Sequence, residues 1–196
     1  MRDTSPPNEA SPGTRRTRVC PWWLMYFVDY RLRGFFQPTG PVIQHLVAPG
    51  YSCLDVGCGM GYFTIPMAHL VGPAGRVTAV DLQPQMLEGA ARRAKREGVA
   101  DRIALHLPDD PGWKVPEHYE FILAFWMLHE VREPRSLLEC LRGVLKADGV
   151  FLVVEPRVHV GRKQWEASLS LAESVGFRLR NRPAVTLSRA ALLQIE

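Results

Sequence analysis

Apolar and polar positions follow two alternating patterns from residue 52 to near the end of the chain. Short apolar runs predict strands, and between them lie longer stretches in which apolar residues recur every three or four positions, as along one face of a helix. Strands that alternate with helices are typical of βαβ units, so the pattern predicts a parallel sheet. The predicted strands are Ser52–Val56, Arg76–Val80, Arg102–Leu107, Tyr119–Phe125 and Val150–Val154.

The stretches between these strands have the apolar faces of helices. The third of them ends before Gly149, a residue typical of helix ends, and the next strand is apolar throughout, as a central strand covered on both faces would be. The predicted helices are Tyr62–Val71, Pro84–Glu97, Pro134–Lys146 and about Lys163–Val175. Their predicted inward residues are, in the same order, Phe63, Pro66, Met67 and Leu70; Leu87, Ala90, Ala91 and Ala94; Leu137, Leu138, Leu141 and Leu145; and Trp165, Leu169 and Ala172.

Two more strands are predicted near the C-terminus, at about Phe177–Arg182 and Val185–Leu193. Too few residues separate them for a crossover helix, so they are expected to pair antiparallel. The predicted fold class is therefore α/β, with three layers and a sheet of seven strands that is mostly parallel but has an antiparallel C-terminal pair.

The N-terminal part of the chain has a different character. Residues 1–18 are polar, basic and rich in proline, which predicts a disordered basic tail. The segment Pro21–Pro38 is predicted to be one helix and is unusually aromatic, with Trp22, Trp23, Tyr26, Phe27, Tyr30, Phe35 and Phe36. It can serve as a roof over a ligand, as ordinary packing against the sheet, or as a contact with a membrane surface. Residues 19–196 are expected to form a single domain.

Composition narrows the classes of protein. The chain of 196 residues is 46% hydrophobic and 22% charged, which is typical of a globular domain. It has neither the roughly 18 consecutive apolar residues of a membrane span nor the apolar core of a signal peptide. The four cysteines form no C-x-x-C pair, so reduced thiols and a cytoplasmic location are expected. The net charge of +4 comes largely from the tail and the run Arg92–Arg96. No aromatic and basic platform for single strands is evident outside the N-terminal helix, so nucleic acid is not the expected partner.

A glycine loop follows the first strand. Gly57, Gly59 and Gly61 alternate directly before a helix, and Asp55 precedes them. Glycines let the backbone approach a ligand, and the start of a helix favours a negative group. The dinucleotide fingerprint G-x-G-x-x-G would place its third glycine at the position of Tyr62, so the spacing argues against a nicotinamide oxidoreductase.

Asp81 ends the second predicted strand, 20 positions after Gly61. A carboxylate at this distance can accept hydrogen bonds from both hydroxyls of a ribose. It can also cap the helix that opens at Pro84, because aspartate is a good capping residue and proline favours the first helical position. The two roles are compatible.

From about Ser52 to the C-terminus, the order of these motifs resembles class I S-adenosylmethionine (SAM) dependent methyltransferases. The resemblance rests on the segments LDVGCGMG, RVTAVD, FILAFWMLHEV and LKADGVFLVVEP. They are similar to those of small-molecule methyltransferases of ubiquinone and menaquinone biosynthesis. The resemblance implies a Rossmann-like fold and a SAM cofactor. It implies that the cofactor contacts are Asp55, Gly57, Cys58, Gly59, Gly61, Asp81, Leu82, Ala124 and Phe125.

One departure from the family pattern concerns the adenine end of the cofactor. The family usually has Gly-Asp after the third strand, where this chain has Leu107-Pro108-Asp109-Asp110. The resemblance assigns an acid here to the adenine amino group, and either Asp109 or Asp110 fits that role.

Candidate acceptor residues follow the fourth and fifth strands, because ligands of open α/β sheets bind at the carboxyl ends of the strands. Methyl transfer is an in-line displacement, and it needs a base only where the acceptor loses a proton. His129, Glu130 and His159 are the predicted catalytic candidates, and Trp126, Glu155 and Arg157 lie at the same edge. No tight ligand spacing indicates a metal site.

The expected function is methyl transfer from SAM to a small-molecule acceptor, by a monomer or a homodimer. Two alternatives stay open: a SAM-binding sensor or scaffold without catalysis, and an RNA methyltransferase. The RNA alternative is disfavoured because this chain lacks the usual base-methylating motif N/D-P-P-F/Y after the fourth strand. Ala124-Phe125-Trp126-Met127 stands at that place. Contact with a membrane surface is compatible with the aromatic segment.

Overall fold

The computed structural model describes residues 39–108 and 118–195. The predictions for the tail 1–18, for the aromatic helix 21–38 and for Asp109 and Asp110 lie outside these residues. The strands are β1 Ser52–Val56, β2 Arg76–Val80, β3 Ile103–His106, β4 Tyr119–Phe125, β5 Leu145–Pro156, β6 Phe177–Asn181 and β7 Ser188–Ile195. The helices are α1 Gly40–Ile43, α2 Thr64–Val71, α3 Pro84–Arg96, α4 Pro134–Val144 and α5 Arg162–Ser174.

The strands form one seven-stranded sheet in the order β3-β2-β1-β4-β5-β7-β6. Neighbours from β3 to β5 are parallel, whereas β7 runs antiparallel to both β5 and β6. The predicted fold class is therefore confirmed. The chain leaves β1 toward β2 on one side, while β4 lies on the other side. The loops after β1 and β4 therefore diverge and leave a crevice at the carboxyl edge of the sheet.

Helices cover both faces of the sheet and complete the three layers. Helices α4 and α5 pack on one face against β5 and β7, and the predicted inward residues of both helices are buried there. Helices α1, α2 and α3 contribute to the core on the other face, which includes Phe121, Leu123 and Leu152. Burial on both faces explains why β4 and residues 150–154 of β5 are almost entirely apolar.

The inward face of α3 differs from its prediction. Ala90 and Ala94 are buried as expected, but Leu87 and Ala91 are only half-buried, and Met86 and Gly89 take their place. The cause is the close approach of α3 to the glycine loop: a Cβ atom on Gly89 would lie 2.9 Å from Cγ of Met60. Close contact with this loop, rather than the apolar stripe alone, decides which face of α3 turns inward.

The start of β5 also differs from its prediction. Helix α4 ends at Val144 instead of Lys146, and β5 begins at Leu145 rather than Val150. The Lys146 ammonium binds the carboxylate of Glu120 in β4, which also accepts a 2.8 Å hydrogen bond from the backbone N–H of Ser52 in β1. These contacts join three strands at their amino ends, and they are available only when Lys146 leaves the helix.

The C-terminal strands shift slightly as well. Strand β7 begins at Ser188, not Val185, because a turn precedes it in which Leu187 has φ of 56° and Ser188 N–H donates to Val185 O. No helix within the described ranges is long and apolar enough to cross a membrane.

The layer packing predicts a clear difference in stability between two positions of α4. Leu141 is 0% exposed in the core, so Leu141→Ala is expected to lower the free energy of unfolding by about 2–5 kcal/mol. Glu139→Ala, at an exposed position of the same helix, should change it by less than about 1 kcal/mol. Urea unfolding followed by circular dichroism measures both, and equal effects would contradict the packing of α4.

Candidate active site

The three glycines of the loop after β1 all have positive φ, at 69° for Gly57, 53° for Gly59 and 80° for Gly61. Side-chain-bearing residues adopt this conformation only with strain. A Cβ atom on Gly57 would lie 2.9 Å from the Met127 side chain, and one on Gly61 would lie 3.3 Å from Ala90 Cβ. A Cβ atom on Gly59 would meet nothing within 4 Å. The outer glycines therefore permit close packing, while Gly59 borders open space of the kind a ligand needs.

Asp55, near the end of β1, is only 2% exposed. Its Oδ2 accepts a 2.6 Å hydrogen bond from the hydroxyl of Thr64, the first residue of α2. A buried carboxylate needs such donors, because leaving water without them is costly. Asp55 thus holds the start of α2 in place beneath the glycine loop.

Asp81, just beyond β2, connects two loops. Its Oδ2 accepts a 3.0 Å hydrogen bond from the Gly59 N–H, and its Oδ1 accepts a 2.9 Å bond from the Gln83 N–H at the start of α3. Burial raises the pKa of Asp81, and the two backbone hydrogen bonds oppose that shift. Each carboxylate oxygen keeps a second lone pair, so the contact with the helix start leaves both oxygens able to accept from a ligand.

Cys58 lies within the loop but is only 6% exposed. Burial, together with the charges of Asp55 and Asp81, raises the pKa of its thiol well above the usual value. Its Sγ donates to Gly59 O at 3.4 Å. Because the thiolate is the nucleophilic form, Cys58 is placed for packing rather than for thiol chemistry.

The three other predicted cofactor contacts have different environments. Leu82, next to Asp81, is 66% exposed. Ala124 and Phe125 are buried at the end of β4, and the Phe125 ring lies 4.5 Å from the Phe63 ring, centroid to centroid. Leu82 therefore presents an apolar surface to solvent beyond β2, whereas Phe125 packs in the core.

On the acceptor side, the site centres on Glu155 at the end of β5, which is 1% exposed. Its Oε1 accepts a 2.8 Å hydrogen bond from the Leu128 N–H, and its Oε2 lies 2.5 Å from Nδ1 of His129. The hydrogen bond with Glu155 raises the pKa of His129. Glu130 Oε1 is 3.9 Å from Nε2 of His129, and the ring centroids of His129 and His159 are 5.9 Å apart. The structure thus brings the three predicted catalytic candidates together, with Glu155 bound to His129.

Two other residues at this edge bind β7 instead. Trp126 has φ of 59°, and its indole N–H donates to Ser188 Oγ at 3.0 Å. Arg157 Nε donates to the backbone oxygen of Ser188 at 2.9 Å. Sequence reasoning missed the roles of Ser188, Thr64 and Met127, and no motif pointed to them. Within residues 39–108 and 118–195, no cluster of three or more His, Cys, Asp and Glu residues could hold a metal ion.

Known proteins resemble this chain in sequence and fold. A family model described as "Methyltransferase domain" matches residues 53–149. The demethylmenaquinone methyltransferase of Symbiobacterium thermophilum is 32% identical over 162 residues, which cover 76% of this chain and 64% of that protein. The ubiquinone/menaquinone biosynthesis C-methyltransferase of Shewanella sediminis is 29% identical over 129 residues, covering 60% of this chain and 49% of that protein. This chain thus spans 64% and 49% of the lengths of these two relatives.

A solved structure confirms the fold independently. The crystal structure of a SAM dependent methyltransferase from Aquifex aeolicus matches with a TM-score of 0.79, covering 91% of this chain and 100% of that chain at 22% identity.

The open space at Gly59 predicts a loss of binding that can be separated from a loss of stability. Gly59→Ala should weaken binding of S-adenosylhomocysteine about tenfold or more, because the methyl group enters the space beside the loop. Gly98→Ala is a matched control: Gly98 also has positive φ (68°) and nothing within 4 Å of a Cβ atom, but it follows the far end of α3. Both variants should lose about 1–2 kcal/mol of stability from backbone strain. Titration calorimetry and thermal unfolding measure the two effects, and equal affinities would contradict the role of Gly59.

Proposed function

We propose that the chain is a class I SAM-dependent methyltransferase and that it transfers a methyl group from SAM to a small-molecule acceptor by in-line displacement. The observation that carries this proposal is the link between Asp81 and Gly59, which joins the carboxylate suited to a ribose to the glycine loop that borders open space. When bound, SAM supplies an electrophilic methyl group on a positively charged sulfur.

The residues of the crevice fit this cofactor. The glycine loop suits its methionine end, because it borders open space at Gly59 and leads into the start of α2, where a helix favours a carboxylate. The free lone pairs of Asp81 suit the two ribose hydroxyls. The exposed side chain of Leu82, beside Asp81, provides an apolar surface on which the flat adenine ring of SAM can lie. Either Asp109 or Asp110 completes this assignment at the adenine amino group.

The acceptor is assigned to the side of His129, Glu130 and His159. These groups follow β4 and β5, across the crevice from the glycine loop, so they lie where a molecule beside the cofactor would be exposed to them. The names of the two curated relatives make quinols the first acceptors to test. The proposed location is the cytoplasm, which agrees with the buried and protonated thiols of Cys53 and Cys58. The proposed assembly is a monomer or a homodimer.

A label experiment tests the function directly. Purified protein is incubated with SAM carrying a labelled methyl group and with a panel of hydroquinones, phenols, amines and transfer RNA. Label in a small-molecule product supports the proposal. Label only in RNA would favour the RNA methyltransferase alternative. Tight SAM binding with no labelled product would favour a sensor or scaffold.

The ribose assignment predicts the effect of changing Asp81. Asp81→Asn should lower affinity for S-adenosylhomocysteine about tenfold or more, because an amide presents one acceptor oxygen where the carboxylate presents two. Asp101→Asn is the control, since the Asp101 side chain is 71% exposed and lies before β3. Titration calorimetry on folded samples gives the two affinities, and an unchanged affinity in Asp81→Asn would remove Asp81 from the cofactor site.

The acceptor assignment predicts a selective loss of turnover. His129→Ala should lower kcat by about 10²–10⁴-fold for an acceptor that must lose a proton, while leaving affinity for S-adenosylhomocysteine unchanged. His69→Ala, at an exposed position of α2, serves as the control. Unchanged turnover of the same acceptor by His129→Ala would exclude His129 from the reaction.

A further inference from the structure

The pair formed by Glu155 and His129 has a property that the proposed function does not require. Both oxygens of Glu155 are occupied: the Leu128 N–H donates to Oε1, and His129 Nδ1 lies 2.5 Å from Oε2. A carboxylate only accepts hydrogen bonds, so His129 Nδ1 must carry the hydrogen. In the neutral imidazole, the lone pair is then on Nε2.

The Nε2 atom is available to a ligand. Glu130 Oε1 lies 3.9 Å from it, which is beyond hydrogen-bond distance. The side chain of His129 is 15% exposed, whereas that of Glu155 is 2% exposed. The buried carboxylate therefore lies behind the ring, and the opposite nitrogen is turned away from it.

The charged and titratable groups around His129 come from each element packed against it. Glu155 is contributed by β5, Glu130 by the same turn as His129, and His159 by the segment after β5. Arg189 of β7 lies opposite Glu155 in the strand register. The two carboxylates nearest the ring both favour the imidazolium, so the base that results is stronger than an isolated histidine.

We propose that Glu155 is a positioning residue that fixes His129 with Nε2 as the general base, and that the acceptor is a phenol or enol whose hydroxyl is ionised there. This inference rests on the proposed methyltransferase function. An amine acceptor can attack with its own lone pair, whereas a hydroxyl is a weak nucleophile until it loses its proton. A preset base is therefore required for the second class and not for a neutral amine.

The acceptor is deprotonated before it is methylated. Its O–H bond breaks, the electron pair stays on oxygen, and the proton moves to Nε2 of His129. The oxygen then forms a bond to the methyl carbon, and the electron pair of the carbon–sulfur bond goes to the sulfonium sulfur, which becomes neutral. Solvent later takes the proton from the imidazolium.

The test is Glu155→Gln, with Glu139→Gln at an exposed position of α4 as the control. Glutamine has one acceptor oxygen and one amino group, so it cannot accept from both Leu128 and His129. Nitrogen NMR of labelled histidine, assigned with His129→Ala, reports the tautomer and the pKa of His129 without any acceptor. We expect the wild type to carry the hydrogen on Nδ1, and we expect Glu155→Gln to lower the pKa and mix the tautomers.

Kinetics with SAM and a phenol or hydroquinone acceptor provide the second readout. Catalysis by neutral His129 rises as pH passes upward through its pKa, so Glu155→Gln should move the acidic limb of kcat/KM to lower pH. The same variant should reduce the limiting kcat about tenfold or more. A uniform loss at every pH, with an unmoved limb, would indicate a structural role and overturn the proposal.

Other outcomes separate this inference from the proposed function. A wild-type histidine with its hydrogen on Nε2 overturns the inference even if Glu155→Gln does not fold. Methylation of amines but not of phenols also overturns it, while leaving the methyltransferase function intact. Failure of the wild type to bind S-adenosylhomocysteine overturns the proposed function itself.

Discussion

The carboxyl edge of the sheet depends on buried carboxylates that accept hydrogen bonds from the starts of neighbouring segments. Asp55 accepts from Thr64 at the beginning of α2, Asp81 from Gly59 and from the start of α3, and Glu155 from the turn after β4. A carboxylate removed from water needs donors, and here backbone amides and a hydroxyl supply many of them. The same contacts that satisfy these charges also position the loops of the crevice.

Much of the architecture could be predicted because its signals are local. The bounds of β1, β2 and β4 follow from compact apolar runs, and the inward faces of α4 and α5 follow from helical periodicity. The start of β5 could not be predicted in this way. Lys146 reads as the end of a helix, and only its contact with Glu120 on a neighbouring strand places it in the sheet.

In the candidate site too, some residues could be predicted from local patterns and others only from the fold. Glycine spacing and the position of Asp81 indicated the cofactor loop, because both are short-range patterns. The contact between Glu155 and His129 joins residues 26 positions apart, and it exists only because β4 and β5 pair in a register that aligns Phe125 with Val154. The hydroxyl of Thr64 under Asp55 is similar: a threonine at a helix start has many uses, and its partner is known only from the fold.

Trp126 combines a strained backbone with a side chain that holds two parts of the fold together. A bulky residue at φ of 59° is a genuine outlier, and its indole is held through Ser188 of β7. Glycine would relax the backbone there at once. Glycine would also lose the packing of the indole against Phe125 and its bond to Ser188, so the tryptophan is expected to stay despite its strain, as the tether between the mouth of the crevice and the last strand.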